Sequence, residues 1–485
     1  MGKQRGIILL GLGPGNPEQL TREAWQLLSE HKEIHLRTSQ HPVVTSFPKD
    51  LRLHSFDHIY EAETDFSTVY ALIVDEILKL GSRPEGVLYA VPGHPFIAES
   101  TGPEIARRAK ELELPVRVVH GLSFVEPVLA ALGADLLPQT TVTDALELAG
   151  IHHPLFPPGS PALIAQVYSK AIASEVKLTL MAVYPDEHPV QVVHAAGTEQ
   201  ELVEELPLFE IDRSEHIGAL SALYVPPLAE HTSMEEFQEL IAHLRAPEGC
   251  PWDREQTHQS LRRNLLEETY EVLDALDAED VEAMQEEFGD LLVQIVLHAQ
   301  IATEAGEFRL ADVIRGIYTK LIHRHPHVFG DAELDDAQSV ISNWEHLKAE
   351  ERRANGQAEK GLLDGVASAL PALTQAEAYG ARAARVGFDW PDIQGVLDKI
   401  DEEVAELRQA KDDQSRLAEF GDLLFALVNL ARWLDVDPEV ALRGTNARFK
   451  QRFGAVEAGA RAQGRALKEL SLEEMEAFWQ QGKQT

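Results

Sequence analysis

Three features of this 485-residue chain predict a multidomain protein, an α/β domain followed by two all-α units. Strand-like and helix-like runs alternate near the N-terminus. A carboxylate-rich helical stripe occupies Leu266–Gln294. The same stripe returns between Ile400 and Leu424.

The α/β part opens with Ile7–Leu10, a short apolar run that reads as a buried strand, and the glycine-rich turn GLGPGN follows. Pro17–His31 is then predicted as one amphipathic helix. Gly11, Gly13, Pro14 and Gly15 therefore sit at a strand–helix turn, where backbone amides can cradle an anionic or polar group. Tight βα packing uses the same glycines. Gly86–Val91 and Pro115–Val119 are further strand candidates with helices between them.

In the first acidic stripe Glu267, Glu268 and Glu271 fall three and four residues apart, on one helical face. Glu287 and Asp290 repeat the i, i+3 spacing at the head of an apolar-periodic run. Two antiparallel helices joined near Asp277–Asp280 would bring both acidic faces together. Clustered carboxylates repel unless a cation sits among them, and hard divalent ions such as Mg²⁺ prefer these oxygens. The second copy carries Glu402, Glu403 and Glu406, then Glu419 and Asp422. Both copies contain EFGDLL (Glu287–Leu292 and Glu419–Leu424), and each follows a Trp-Asp or Asp-Trp pair, Trp252-Asp253 and Asp389-Trp390. A solvated face accounts for one such helix. It does not account for an internal repeat that preserves the constellation. Gly289 and Gly421 each cost about 1 kcal/mol inside a helix relative to Ala, which predicts close helix approach there.

Composition narrows the partners. A hydrophobic fraction of 44% is enough for real cores, and a formal charge of −37 argues against a nucleic-acid polymer or an anionic membrane. A single cysteine, Cys250, fits a reducing cytoplasm. No apolar run reaches the ~18 residues of a membrane span, and Ile7–Leu10 is too short for a signal peptide.

EExxE followed by ExxD resembles the signature of the MazG family of all-α nucleoside triphosphate pyrophosphohydrolases. GCPWDREQTH (Gly249–His258), RHPHVFG (Arg324–Gly330) and VGFDW (Val386–Trp390) resemble its two-repeat form, from about Met234 onward. The resemblance implies that Glu268, Glu271, Glu287 and Asp290 hold Mg²⁺ in the first repeat. Glu403, Glu406, Glu419 and Asp422 would do so in the second. It leaves Glu267 and Glu402 to orient those ligands or to activate water. Each repeat is followed by a basic pair on a third helix, Lys320 with Arg324 and Arg448 with Arg452, Lys450 lying between the latter. These would clamp a triphosphate, or form a solvated face paired with nearby acids. Asn446 and Trp479 match positions near the nucleotide, and Trp479 would stack a base or cover the core. A homodimer is expected. The second repeat, with its denser basic helix and Trp-bearing tail, is read as the main catalytic unit.

GLGPGNPEQLT, VPGHPFIAEST (Val91–Thr101) and HGLSFVEPVLAALG (His120–Gly133) resemble the tetrapyrrole methylases. That family binds S-adenosylmethionine between two α/β halves, which implies cofactor contacts at Gly11, Gly13, Pro14, Gly15, Gly93, His94 and Pro95. The second half would span about Thr140–Tyr224, with strands at Ala162–Val167, Val176–Tyr184 and Gly218–Pro226. Gly93-His94-Pro95 stands where the family commonly has Gly-Asp-Pro, so methylation of a tetrapyrrole is not implied.

The expected domains are 1–227, 228–345 and 346–485. Val225–Glu230 is the linker, Ser233 with Glu236 opens the helical part as a capping box, and charged Gly330–Lys360 bridges the repeats. His323, His325 and His327 suggest zinc, but Pro326 interrupts the helix and favours a structural role. The function expected is Mg²⁺-dependent hydrolysis of a nucleoside triphosphate to its monophosphate and diphosphate, cleansing nucleotide pools. The alternatives are a methyltransferase whose repeats dimerise or regulate, and a binding protein with both sites degenerate.

Overall fold

The computed structural model describes residues 5–483 apart from 64, 230, 333–335, 337, 338, 341, 342, 345, 346, 349 and 352–360. The chain divides into two compact units, Met1–His243 and Leu244–Thr485.

The first unit contains two five-stranded sheets. The first sheet is parallel throughout, ordered β3-β2-β4-β1-β5, from Ile7–Gly11 (β1), Glu33–Leu36 (β2), Arg52–Ser55 (β3), Val87–Val91 (β4) and Val116–Val119 (β5). Its central strands are buried on both faces, as parallel strands between helical layers must be. Ile7 and Leu9 meet Ile73 and Ile77 of Phe66–Gly81 and Ile105 of Thr101–Glu111. Leu10 and Leu12 point the other way, onto Leu27 and Leu28 of Arg22–Glu30 (α1). This is the period-2 alternation of a strand.

The second sheet is mixed, ordered β6-β7-β10-β8-β9, from Thr141–Asp144 (β6), Ala162–Ala165 (β7), Pro189–His194 (β8), Leu202–Pro207 (β9) and Ser221–Val225 (β10). The two expected α/β halves are present.

Two elements differ from expectation. Val176–Tyr184 is not a strand; Val176–Leu180 ends the helix Lys170–Leu180, whose Ala173, Val176, Thr179 and Leu180 are buried at helical spacing. The true neighbouring strand, β8, follows Pro185 and carries the alternating signal VQV. Pro17–His31 is also not one helix. Pro17–Gln19 forms a single 3-10 turn, and α1 begins only at Arg22, capped by Thr21 Oγ1 at 3.1 Å from Ala24 N.

The second unit is helical. Met234–Arg245 crosses the division and is capped as expected: Ser233 Oγ accepts from Glu236 N at 3.2 Å and donates to Glu236 Oε2 at 3.0 Å. The first repeat follows as Arg262–Asp277 (α2), Val281–Ala305 (α3) and Leu310–Arg324 (α4). The second contains Ala372–Arg385 (α5), Ile393–Gln409 (α6), Asp413–Trp433 (α7), Pro438–Ala462 (α8) and Leu472–Gln481 (α9). Most of the bridge Gly330–Lys360, including the 345/346 boundary, lies outside the described residues. No helix among the described residues is long and apolar enough to cross a membrane.

His41, beside the Gly13 loop, is buried to 5% exposure. Burial pushes its imidazole down from 6.5 to about 4, weakly opposed by the Gly13 backbone. Between those values the unfolded chain binds the extra proton, so stability falls as pH drops from 7. His41 should remove about 2 kcal/mol between pH 7 and pH 5, and His41→Gln should flatten that part of the unfolding midpoint. Equal pH dependence in both proteins would refute it.

Candidate functional site

Each repeat builds its acidic cluster on a helical hairpin. In the first, α2 turns through Ala278–Asp280 into α3, whose start is capped by Asp280 Oδ1 accepting from Glu282 N and Ala283 N at 3.1 Å. Val272 and Ala275 of α2, and Val296, Leu297, Ala299 and Ala302 of α3, are buried. Oxygens of Glu268, Glu287 and Asp290 lie within 4.8 Å of one another. Glu271 lies against Glu268 and Glu287. Partial burial, then neighbouring carboxylates, raises the acids of Glu268 and Glu287 above their usual range. Glu267 is exposed on the flank.

In the second repeat Glu403, Glu406 and Glu419 converge within 4.8 Å, and Asp422 lies within electrostatic reach of Glu419. Burial and these carboxylates raise Glu419. Glu403 is only 4% exposed, and its Oε2 has no partner among the described residues. A partnerless buried oxygen among carboxylates fits a hard cation.

Lys399, which the sequence reading did not single out, lies at this second cluster. Its Nζ donates to Glu403 Oε1 at 2.7 Å and Glu402 Oε1 at 2.9 Å, and these two carboxylates raise its ammonium, Glu403 most. The signal was available: a lysine three residues ahead of EExxE, where the first repeat has Asn264.

The basic residues are arranged differently in the two repeats. On α8, Asn446, Arg448 and Lys450 are exposed, and Arg448 Nη2 donates to Thr445 Oγ1 at 2.8 Å. Trp479 packs on Val456, Ala460 and Leu470, lies 5.1 Å from the Phe449 ring, and carries the Arg452 guanidinium at 5.9 Å. In the first repeat Lys320 is exposed, but Arg324 is not a free cation. Its Nη2 donates to Glu351 Oε2 at 2.5 Å and its Nε to Oε1 at 3.1 Å. His325 Nδ1 donates to Leu321 O at 2.7 Å.

One expectation about the repeats needs correction. Among the described residues no heavy atom of another element lies within 4 Å of a Cβ built on Gly289 or Gly421, so neither glycine sits at a close helix approach there. Both sit on exposed stretches beside Phe288 and Phe420. The Asp-Trp pair Asp389-Trp390 is a brace. Asp389 accepts from Arg432 at 2.9 and 2.5 Å and from Trp433 Nε1 at 3.3 Å.

In the first unit the turns after β1, β4 and β5 meet backbone to backbone. A Cβ on Gly11 would stand 2.5 Å from Gly121 N. Gly13 N donates to Gly93 O at 3.1 Å and Gly93 N to Gly13 O at 2.8 Å, so those amides serve each other rather than an anion cradle. The single turn at Pro17–Gln19 supplies no long helix end there either. Gly93, at φ 65°, is half-buried, and a Cβ added there would touch Leu122 O at 3.9 Å. Beside it His94 Nδ1 accepts from Phe96 N at 3.1 Å, which leaves Nε2–H to donate to His120 Nδ1 at 2.9 Å. Burial and then His120 lower the His94 imidazole. Pro14 and Pro95 are buried, and Gly15 faces Pro42 and Thr198. A buried ion pair of Arg37 with Glu99, to which Tyr60 Oη adds a bond at 3.0 Å, was not foreseen and left no local sequence signal.

The family model of the MazG nucleotide pyrophosphohydrolase domain matches residues 256–329, and that of the tetrapyrrole (corrin/porphyrin) methylases matches residues 6–212. Over 99% of its length the chain is 41% identical to 98% of YabN, an uncharacterized protein of Bacillus subtilis. It is 45% identical to the nucleoside triphosphate pyrophosphohydrolase/pyrophosphatase MazG of Thermotoga maritima, over 51% of this chain and 95% of that one. It is 46% identical to the nucleoside triphosphate pyrophosphohydrolase of Escherichia coli K12, over 50% of this chain and 94% of that one.

Asp389→Ala would leave the Arg432 guanidinium, 18% exposed, without its bidentate partner. It should cost about 1–3 kcal/mol in chemical denaturation, mainly in the second repeat. An unchanged midpoint would remove the brace assignment.

Proposed function

We propose that this chain, which belongs to the MazG family and carries a tetrapyrrole methylase-type domain ahead of its helical half, is a Mg²⁺-dependent nucleoside triphosphate pyrophosphohydrolase. It would convert a standard, deoxy or damaged nucleoside triphosphate to the monophosphate and diphosphate, keeping cytoplasmic nucleotide pools clean.

The single observation that carries this is the convergence of carboxylates from two antiparallel helices, made twice, by Glu268, Glu287 and Asp290 and by Glu403, Glu406 and Glu419. Carboxylates this close repel one another, and burial followed by that repulsion raises the acids of Glu268, Glu287 and Glu419. Glu268, Glu271, Glu287 and Asp290 would hold Mg²⁺ in the first repeat, and Glu403, Glu406, Glu419 and Asp422 in the second. The metal would neutralise the triphosphate and make a water acidic enough to attack between the α- and β-phosphates. Glu267 and Glu402 flank the ligands and would orient them or take the water's proton. In the second repeat Arg448, Lys450 and Arg452 would bind phosphate oxygens, with Asn446 and Trp479 toward the nucleoside.

The expected partner is a second copy of the chain. Phe288, Phe420, Leu424 and Phe425 are 51, 51, 40 and 41% exposed along α3 and α7, which supports a homodimer that covers them.

The methylase-type domain favours a second reading, S-adenosylmethionine binding at the Gly93 surface. The residues present fit an adenosyl ligand by the half-buried, Cβ-free backbone at Gly93, while the His94–His120 pair departs from the family's acidic position. Binding of S-adenosylmethionine should be measurable by calorimetry and lost in Gly93→Leu. Equal heats from both proteins would exclude that surface.

The hydrolase is tested by diphosphate release from a panel of ribo- and deoxynucleoside triphosphates with Mg²⁺. Glu406→Gln should lower kcat by roughly a hundredfold, Glu271→Gln should remove a smaller share, and the double variant should be inactive. No release from the unmodified protein with any nucleotide would end the proposal.

A further inference from the structure

The internal repeat extends beyond the basic helices. Trp344 and Lys348 form a Trp-x-x-x-Lys pair after the first repeat, and Trp479 and Lys483 form the same pair after the second. The tertiary placement matches as well. The Arg324 guanidinium lies 5.8 Å from the Trp344 ring centre, and the Arg452 guanidinium 5.9 Å from that of Trp479. In both repeats, then, the second member of the basic pair is backed by an indole.

The two clamps differ in what occupies them. Among the described residues no carboxylate pairs with Arg448 or Arg452. Arg324 instead grips Glu351 through two parallel bonds of 2.5 and 3.1 Å, with side chains only 15 and 23% exposed. Arg324 first, and then His323 and Lys320, hold the Glu351 carboxyl below its usual range. A carboxylate in the fork of an arginine, within the field of a second cation, occupies the geometry in which the same fork receives a phosphoryl group.

We infer that Lys320, Arg324 and Trp344 form the first repeat's own triphosphate clamp, and that Glu351 holds the phosphate position until a triphosphate displaces it. This rests on the hydrolase proposed above for its substrate class, though not for the anion site itself. Trp344 is here a positioning residue, acting through Arg324. A cation over an indole is worth roughly 0.5–2 kcal/mol, enough to fix the fork in both the latched and the liganded state. The tethered carboxylate is an intramolecular competitor: if the latch is closed about nine-tenths of the time, apparent affinity drops about tenfold.

Binding of inorganic triphosphate in the presence of Mg²⁺ tests this without requiring turnover. It is measured by calorimetry on the full chain carrying Arg448→Ala and Arg452→Ala, which silences the second clamp. Adding Glu351→Gln should tighten binding threefold to tenfold, and adding Arg324→Ala should weaken it at least tenfold. Trp344→Leu should weaken it severalfold, while Trp344→Phe, which keeps the aromatic face and the packing, should stay within twofold. A structural ion pair predicts the opposite sign for Glu351→Gln. Unchanged or weakened binding in that variant, or undiminished binding in Arg324→Ala, would overturn the clamp. Diphosphate release from nucleoside triphosphates by the unmodified protein, and by Glu351→Gln with Arg448 and Arg452 intact, separates the two proposals. Tightened triphosphate binding with no hydrolysis keeps the clamp and removes the hydrolase; hydrolysis with no effect of Glu351→Gln does the reverse.

Discussion

The constraint on which the helical half depends is repulsion between carboxylates that its own packing forces together. The apolar faces of α2 and α3, and of α6 and α7, pair each hairpin with its acidic faces in contact. Side chains three and four residues apart share a face, so burying Val272 and Ala275 fixes where Glu268 and Glu271 point. Neither hairpin can relieve the crowding by rotation without exposing its core. The second relieves part of it internally, through Lys399; the first has Asn264 at that position.

This difference runs through both repeats. The second cluster carries its own lysine, and Arg448 and Arg452 have no carboxylate partner among the described residues. The first cluster lacks the lysine, and its arginine is held by Glu351. The same ancestral parts thus meet opposite charge problems, since each cation satisfies whichever acid the following chain brings within reach. Charge balance, more than ligand identity, distinguishes the two sites.

In the first unit the corresponding constraint is steric. The turns after β1, β4 and β5 come so close that Gly11 and Gly121 have no room for a Cβ. That contact brings His94 beside His120 and leaves Gly93 half-buried next to them. The glycines are explained first by backbone packing, and the half-buried backbone at Gly93 is what remains for a ligand. Arg37, just past β2, is buried with Glu99, which lies two residues ahead of the helix Thr101–Glu111.

The acidic hairpins, their junction near Asp277–Asp280, the helix cap at Ser233 and the two α/β halves were legible because each rests on local periodicity or on a motif. Three errors share one cause. Val176–Leu180 is apolar enough for a strand, but its burial follows helical spacing. Gly289 and Gly421 signal a requirement that their own chain does not show. Arg324 looks identical to Arg452 until a segment twenty or more residues away is folded back. Sequence by itself determined which residue types lie on which face, because helix and strand periods are fixed by the backbone. Only the tertiary structure decided which charges meet, since the pairing of Arg324 with Glu351, of Arg432 with Asp389 and of His94 with His120 depends on long-range approach that no local pattern encodes.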